Sequence, residues 1–189
     1  MTDGADPPRD AEGGRSVYVG GYRLDVVVRP HVAVPVPVAR LARVAARALA
    51  AAGASVPSSL GLVLSDDVEL ATLNEAHLGH EGPTDVLSFP LVVSTDGNAG
   101  PPGAAGSVAF VLPPGRRVHL GDVIVSVERA RAQAAEGRGG QTGDVRWSVG
   151  DELRLLVVHG ALHVCGWDHA EPGDEAAMRE LEREVLATD

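Results

Sequence analysis

The sequence predicts an α+β domain, with about four short strands in a mixed sheet covered by about five helices. Three observations carry this. Apolar runs of strand length alternate unevenly with longer Ala- and Leu-rich segments of helical period. Gly, Pro, Ser and Asp punctuate the joins between them. The 189 residues, 44% hydrophobic with a mean hydropathy of +0.05, are enough for one core and too few for two.

Residues 1–20, rich in Gly, Pro and alternating charge, read as a flexible tail, and the domain spans 21–189. Leu24 to Val28 is a β-branched run halted by Pro30, a first strand. The Pro-rich stretch to Pro37 leads into a helix, Val38 to Ala52, closed by Gly53. Ser59 to Ser65 is a second strand. Ser65-Asp66-Asp67 then caps a helix that carries Leu70, Leu73 and Asn74 toward Gly79. Thr84 to Phe89 is a third strand, stopped by Pro90. Residues 94–117 hold too many Gly and Pro for a regular element, except at Val108 to Leu112, and read as a mobile loop. Val118 to Val125 is the fourth strand and Val127 to Glu136 a helix. After a Gly-rich linker to Gly143 comes the longest apolar helix, Trp147 to Val164, and last an amphipathic one, Asp174 to Ala187.

Charge and cysteine content narrow the function. The formal net charge is −10, and all sixteen basic side chains are Arg. Such a field repels polyanions at long range, so attraction to phosphate has to be local. No stretch has the length and apolarity of a membrane span. The first residues lack the basic start and apolar run of a secretory signal, which leads us to expect a cytoplasmic protein. Cys165 is the sole cysteine, excluding an intrachain disulfide and a cysteine-rich zinc knuckle.

The strongest chemical signal runs from His159 to His169, where three of the seven histidines fall within eleven residues. His159 and His163 stand four apart on the long helix, hence one turn apart on the same face. Gly166 permits a sharp reversal that brings His169 back from beyond the helix end. Three imidazoles leave one corner of a tetrahedral ion open, the mark of a catalytic zinc site. One Zn2+ is therefore the expected cofactor, held on and just after the central helix. Asp168 either orients a ligand imidazole or caps the following turn. Cys165 reads as a buried, inert thiol. The same spacing occurs in metalloproteases in which a Glu follows the first His as general base; here that residue is Gly160, which makes proteolysis a minor alternative. Neutral ligands preserve the double charge of the ion, which favours an anionic substrate such as a phosphodiester.

The string His159-Gly160-Ala161-Leu162-His163-Val164-Cys165-Gly166-Trp167-Asp168-His169 resembles the pattern H-G-x-L-H-L-x-G-[YW]-D-H of the YbeY-type endoribonucleases. Gly82-Pro83-Thr84-Asp85-Val86-Leu87-Ser88-Phe89-Pro90 matches the P-T-[DN]-V-L-S-F-P strand of that family. Leu120-Gly121-Asp122-Val123-Ile124 and Leu73-Asn74 resemble further family segments, in family order. The resemblance implies a zinc-dependent, single-strand-specific endoribonuclease acting on ribosomal RNA precursors, chiefly at the 3′ end of small-subunit 16S rRNA, and on defective ribosomes. It implies RNA, the ribosome and small-subunit assembly factors as partners. The family usually has an Arg immediately before the glycine corresponding to Gly79, where this chain has Leu78. Arg116, Arg117 and a protonated His80 are the candidates to supply the lost charge.

His80, Asp85 and Asp168 are the candidate catalytic groups. His77 and His80 flank Gly79, and imidazole titrates in the useful range. Alternation puts Asp85, Leu87 and Phe89 on one strand face, with a strand-start cap as the plainer reading of Asp85 and a solvated hydroxyl as that of Ser88. Arg40, Arg43 and Arg47 share a helix face, either solvated or turned to RNA. The expected chemistry is stabilisation of charge at a phosphodiester, with the ribose 2′-hydroxyl or water as nucleophile. A ribosome-assembly factor with a mainly structural zinc is the alternative.

Overall fold

The computed structural model describes residues 14–91, 117–137, 147–168 and 172–188. Five strands, β1 (Arg15–Val19), β2 (Tyr22–Val28), β3 (Ser58–Ser65), β4 (Val86–Pro90) and β5 (Val118–Ser126), form one sheet in the order β1-β2-β3-β5-β4. Five helices accompany them: α1 (Val38–Ala51), α2 (Asp67–Leu78), α3 (Val127–Glu136), α4 (Val149–Val164) and α5 (Pro172–Ala187). β2, β3 and β5 run parallel at the centre, while β1 and β4 are antiparallel edges, so the sheet is mixed.

The expected α+β class holds, with one strand more than the sequence reading counts. A flexible tail reaching residue 20 is corrected from Arg15 onward, because Arg15–Val19 pairs with β2. The cause is local: Gly20 and Gly21, with φ of 56° and 93°, close a two-residue hairpin turn that few other residue pairs adopt. Ser16 Oγ donates to Asp25 across the pair at 2.6 Å, and Val17 and Val19 pack on the core. The Gly-rich loop at 94–117, apart from Arg117, and the linker to Gly143, apart from its start at Gly137, lie outside the described residues, as do residues 1–13.

The period of two in the strands gives the sheet two unlike faces. In register, Val26, Leu62 and Val123 form one row and Val28, Leu64 and Val125 the next, backed by Leu24 and Leu60. This apolar face receives α1 and α4, and Leu41, Val44, Ala45, Ala48 and Leu49 of α1 are buried in the same cluster. The opposite face carries Arg23, Ser59 and His119 in one row and Asp25, Gly61 and Asp122 in another. There α2 packs chiefly on β4 and β5, and its Leu70, with Leu87 of β4, is buried apart from the main cluster. Helical cover is thus complete on one face and confined to one side of the other among the described residues.

An ion pair locks the C-terminal ends of the parallel strands to α2. Arg29, just past β2, donates through Nε and Nη2 to both oxygens of Glu69 at 2.8 and 2.7 Å, and Ser65 at the end of β3 also donates to Glu69. The guanidinium, chiefly, holds the Glu69 carboxyl below the usual carboxylate range. A depressed folded-state pKa adds stability above the unfolded value of 4.5 and loses it as pH falls through the folded one. Glu69→Gln should therefore cost about 1 kcal/mol near neutral pH, with the difference from the parent narrowing as pH falls below the unfolded value of 4.5 and through the lower folded one. Denaturant melts at a series of pH values check this, and a deficit independent of pH would exclude the ion pair as its source.

Candidate metal centre

Helix α4 carries the site, and its sequence fixes both ends. Ser148 and Asp151 form a reciprocal capping box, in which the Asp151 N–H donates to Ser148 Oγ and the Ser148 N–H to the Asp151 carboxylate. At the other end Gly166, with φ 87°, takes the left-handed position; its N–H donates to His163 O at 3.0 Å and that of Trp167 to Leu162 O at 3.1 Å. This is the paired closure that a glycine after the last helical turn makes possible. Between the ends Leu153, Leu156, Val157, Val158, Ala161, Leu162 and Val164 are buried, as befits a helix through the core.

Gly160 sets how near α4 lies to the sheet. A Cβ there would sit 2.6 Å from Val123 Cγ1 and 3.0 Å from Val86 Cγ2, and its carbonyl accepts from Ser88 Oγ at 3.1 Å. Ser88 is therefore a tie between β4 and α4. The position after His159 faces packed β-sheet, which leaves no room for a carboxylate base.

His159 and His163 emerge beside that contact, one turn apart. Their Nε2 atoms lie 3.0 Å from each other and the rings meet edge to face, with centroids 4.5 Å apart. His159 Nδ1 donates to Glu182 Oε1 of α5 at 2.7 Å. A carboxylate on Nδ1 places the ring proton there and leaves Nε2 as the lone-pair nitrogen of the neutral ring. Two nitrogens bound to one tetrahedral zinc at about 2.0–2.1 Å stand about 3.3 Å apart, so the pair fits such an ion with a shift of a few tenths of an ångström. Among the described residues no group of three His, Cys, Asp or Glu side chains is arranged to hold a metal ion. His169, the expected third ligand, lies outside them.

The other expected residues fall as follows. Asp168 is exposed just past the Gly166 turn. His80 is exposed between α2 and β4 and, among the described residues, makes no hydrogen bond or ion pair. Asp85 is occupied: its carboxylate accepts from Gln133 Nε2 at 2.8 Å and from the Val86 N–H at 2.9 Å, the geometry of a strand-start cap that also grips α3. His77 sets its ring against Phe89, 5.1 Å between centroids, which confirms that Phe89 turns toward α2. Burial pushes the Cys165 thiol up to about 12, so it stays protonated. Arg47 donates to Thr188 O, while Arg40 and Arg43 are exposed. Arg117 does not stand in for the charge missing at Leu78. Its guanidinium donates to Gly21 O and lies 5.5 Å over the Tyr18 ring, at the β1–β2 hairpin on the far side of the sheet from β4. Arg116 lies outside the described residues.

Glu182, the carboxylate that meets His159, is the site neighbour that the sequence reading missed. The signal was present: Met178, Leu181, Glu182 and Val185 follow the i, i+3, i+4, i+7 spacing of an inward helix face, and a carboxylate in that stripe calls for a buried partner.

The profile of the family described as Endoribonuclease YbeY matches residues 33–188, which takes in all five helices and leaves the β1–β2 hairpin outside. The endoribonuclease YbeY of Symbiobacterium thermophilum is 40% identical over 147 residues, 77% of this chain and 81% of its own. That of a Roseiflexus species is 42% identical over 131 residues, 69% of each. The solution structure of TM1509 from Thermotoga maritima aligns over 86% of both chains at 18% identity, with a TM-score of 0.49. From the profile match over residues 33–188 and the identity to these relatives, the chain belongs to the endoribonuclease YbeY family.

Proposed function

We propose that this family member is a zinc-dependent, single-strand-specific endoribonuclease that matures the 3′ end of small-subunit 16S ribosomal RNA and acts in ribosome quality control, in the cytoplasm with the ribosome or its small-subunit assembly factors as partners. The observation that carries the metal-dependent part is the His159–His163 pair, Nε2 to Nε2 at 3.0 Å, with the far nitrogen of His159 on a carboxylate. In this reading His159, His163 and His169 hold the ion. When bound, zinc supplies concentrated positive charge beside the phosphodiester and lowers the pKa of water near it.

The chain's own residues supply the rest. Helix α4, pressed to the sheet at Gly160, orients both imidazoles as one rigid unit. With a formal charge of −10, the surface gives RNA little general attraction, which makes binding depend on the site itself. Proton exchange at the cleaved bond falls to His80 or Asp168, both exposed. Gly160 removes the base that a metalloprotease of this spacing uses.

His163→Ala should abolish stoichiometric zinc uptake and lower cleavage of single-stranded RNA at least about 10³-fold, and a chelator should do the same to the parent. Metal analysis together with a gel assay reads both. Zinc bound without cleavage would favour the assembly-factor reading, and cleavage surviving both treatments would identify a contaminating nuclease. Of His80→Ala and Asp168→Ala, the variant that removes the proton-exchanging group should lose about 10²-fold or more in kcat with zinc content intact. Full activity in both would take proton exchange away from these two residues. A cyclic phosphate at the product end would identify the 2′-hydroxyl as nucleophile; a free 3′-hydroxyl would exclude it.

A further inference from the structure

Glu182 occupies an unusual place. It lies on the inward face of α5, with 9% of the residue exposed, in line with the fully buried Met178 and with Val185. A buried carboxylate is expensive unless its oxygens are partnered, and on stability alone an apolar residue in that stripe would serve as well or better. Its partner is one atom of the chain's metal pair, His159 Nδ1, at 2.7 Å. The helix that carries it is fastened at its far end by two guanidiniums: Arg154 Nη2 donates to Leu186 O at 3.0 Å and Arg47 Nη1 to Thr188 O at 2.9 Å. Arg154 comes from α4, the same helix as His159, and Arg47 from α1. Thus α5 is held to the two helices that flank it in the core, and this seating brings Glu182 to the ring.

We propose that Glu182 is the positioning residue of the metal centre: it fixes His159 in the Nδ1–H tautomer and in one ring orientation, so that Nε2 faces His163 Nε2 ready to take the ion. This rests on the reading that His159 and His163 hold zinc. A ligand imidazole whose other nitrogen donates to a carboxylate is oriented in advance and is a stronger base toward the metal, and loss of such a partner typically weakens binding about 10- to 100-fold. The charge of Glu182 also remains one bond sequence away from the ion, behind the ring, so it strengthens the ligand without filling a coordination place.

The test uses the full-length chain, zinc-free and reloaded, as parent, Glu182→Gln, Glu182→Ala and His163→Ala. Zinc affinity is read by competition with a chromophoric chelator, the ligand field from the visible spectrum after cobalt(II) loading, and folding from the melting temperature of the metal-free protein. The parent should bind one zinc. Glu182→Ala should bind about 10- to 100-fold more weakly, with an altered cobalt spectrum. Glu182→Gln should lose less, because its side-chain carbonyl still accepts from Nδ1–H. A lowered metal-free melting temperature with zinc affinity within about twofold of the parent in both variants would make Glu182 a structural tie alone and overturn the proposal. If Glu182→Ala does not fold, Glu182→Gln decides by the same criterion. A parent that takes up no zinc, like His163→Ala, would overturn the metal reading itself, a result separable from parental binding that Glu182 does not influence.

Discussion

The close approach of α4 to the sheet at Gly160 is the constraint on which the site depends. A helix carrying a side chain at that position would stand off from Val123 and Val86, since the Cβ would come within 2.6 and 3.0 Å of their methyl groups. Interiors packed to crystal-like density transmit such a displacement rather than absorbing it. Because Gly160 directly follows His159, standing the helix off would move the histidine pair with it. The same contact brings Ser88 to the Gly160 carbonyl, so β4, an edge strand that a single neighbour holds on one side, is tied to the helix as well as to β5.

From that seat outward the structure is a chain of dependencies through elements far apart in sequence. The apolar rows of β2, β3 and β5 form the bed, α1 and α4 lie in it, and α5 packs across both through Met178, Leu181 and Val185. Polar contacts tie α5 to both of these helices. Arg47 and Arg154 occupy the carbonyls at the end of α5, where the helix has no internal donors left to satisfy them. Glu182 reaches His159 midway along the same helix. A site with two residues on one helix therefore takes its geometry from three, and it inherits the rigidity of the core rather than that of a loop.

Much of this was legible in the chain. Helix starts and ends were marked by Asp66, Gly79 and Gly166, whose caps are dictated by local hydrogen bonding, whereas the Ser148 cap was passed over by a reading that began the long helix at Trp147; the spacing of His159 and His163 needed only the helical period to bring them together. The hairpin at Gly20-Gly21 went unread because its first strand sits beside a polar, Gly-rich stretch, and composition outweighed a two-residue turn signal between Val-Tyr-Val and Tyr-Arg-Leu. The partial cover of the second sheet face could not be read at all: α2 has almost no amphipathic contrast, and where it docks is decided by the β4–β5 pairing, a long-range contact. Glu182 belongs to the same class, since which buried group answers a carboxylate in an apolar stripe depends on the docking of α5. For Asp85 the sequence offered both a strand-start cap and a chemical role, and what it could not show is that Gln133, 48 positions away, would donate to its carboxylate.

The packing also explains why a helix with this histidine spacing suits phosphodiester rather than peptide chemistry. In a metalloprotease of similar spacing the residue after the first histidine faces the cleft and carries the base. Here that direction points into the sheet, so the fold closes off an internal base at the cost of one side chain and gains a tightly seated histidine pair. An RNA phosphodiester has its own nucleophile in the neighbouring 2′-hydroxyl, and a water polarised beside a cation needs only a modest acceptor. A rigid site with its exposed proton-exchanging candidates held outside the helix suits such a substrate, and the formal net charge of −10 leaves attraction to RNA to local groups rather than to the field of the whole chain.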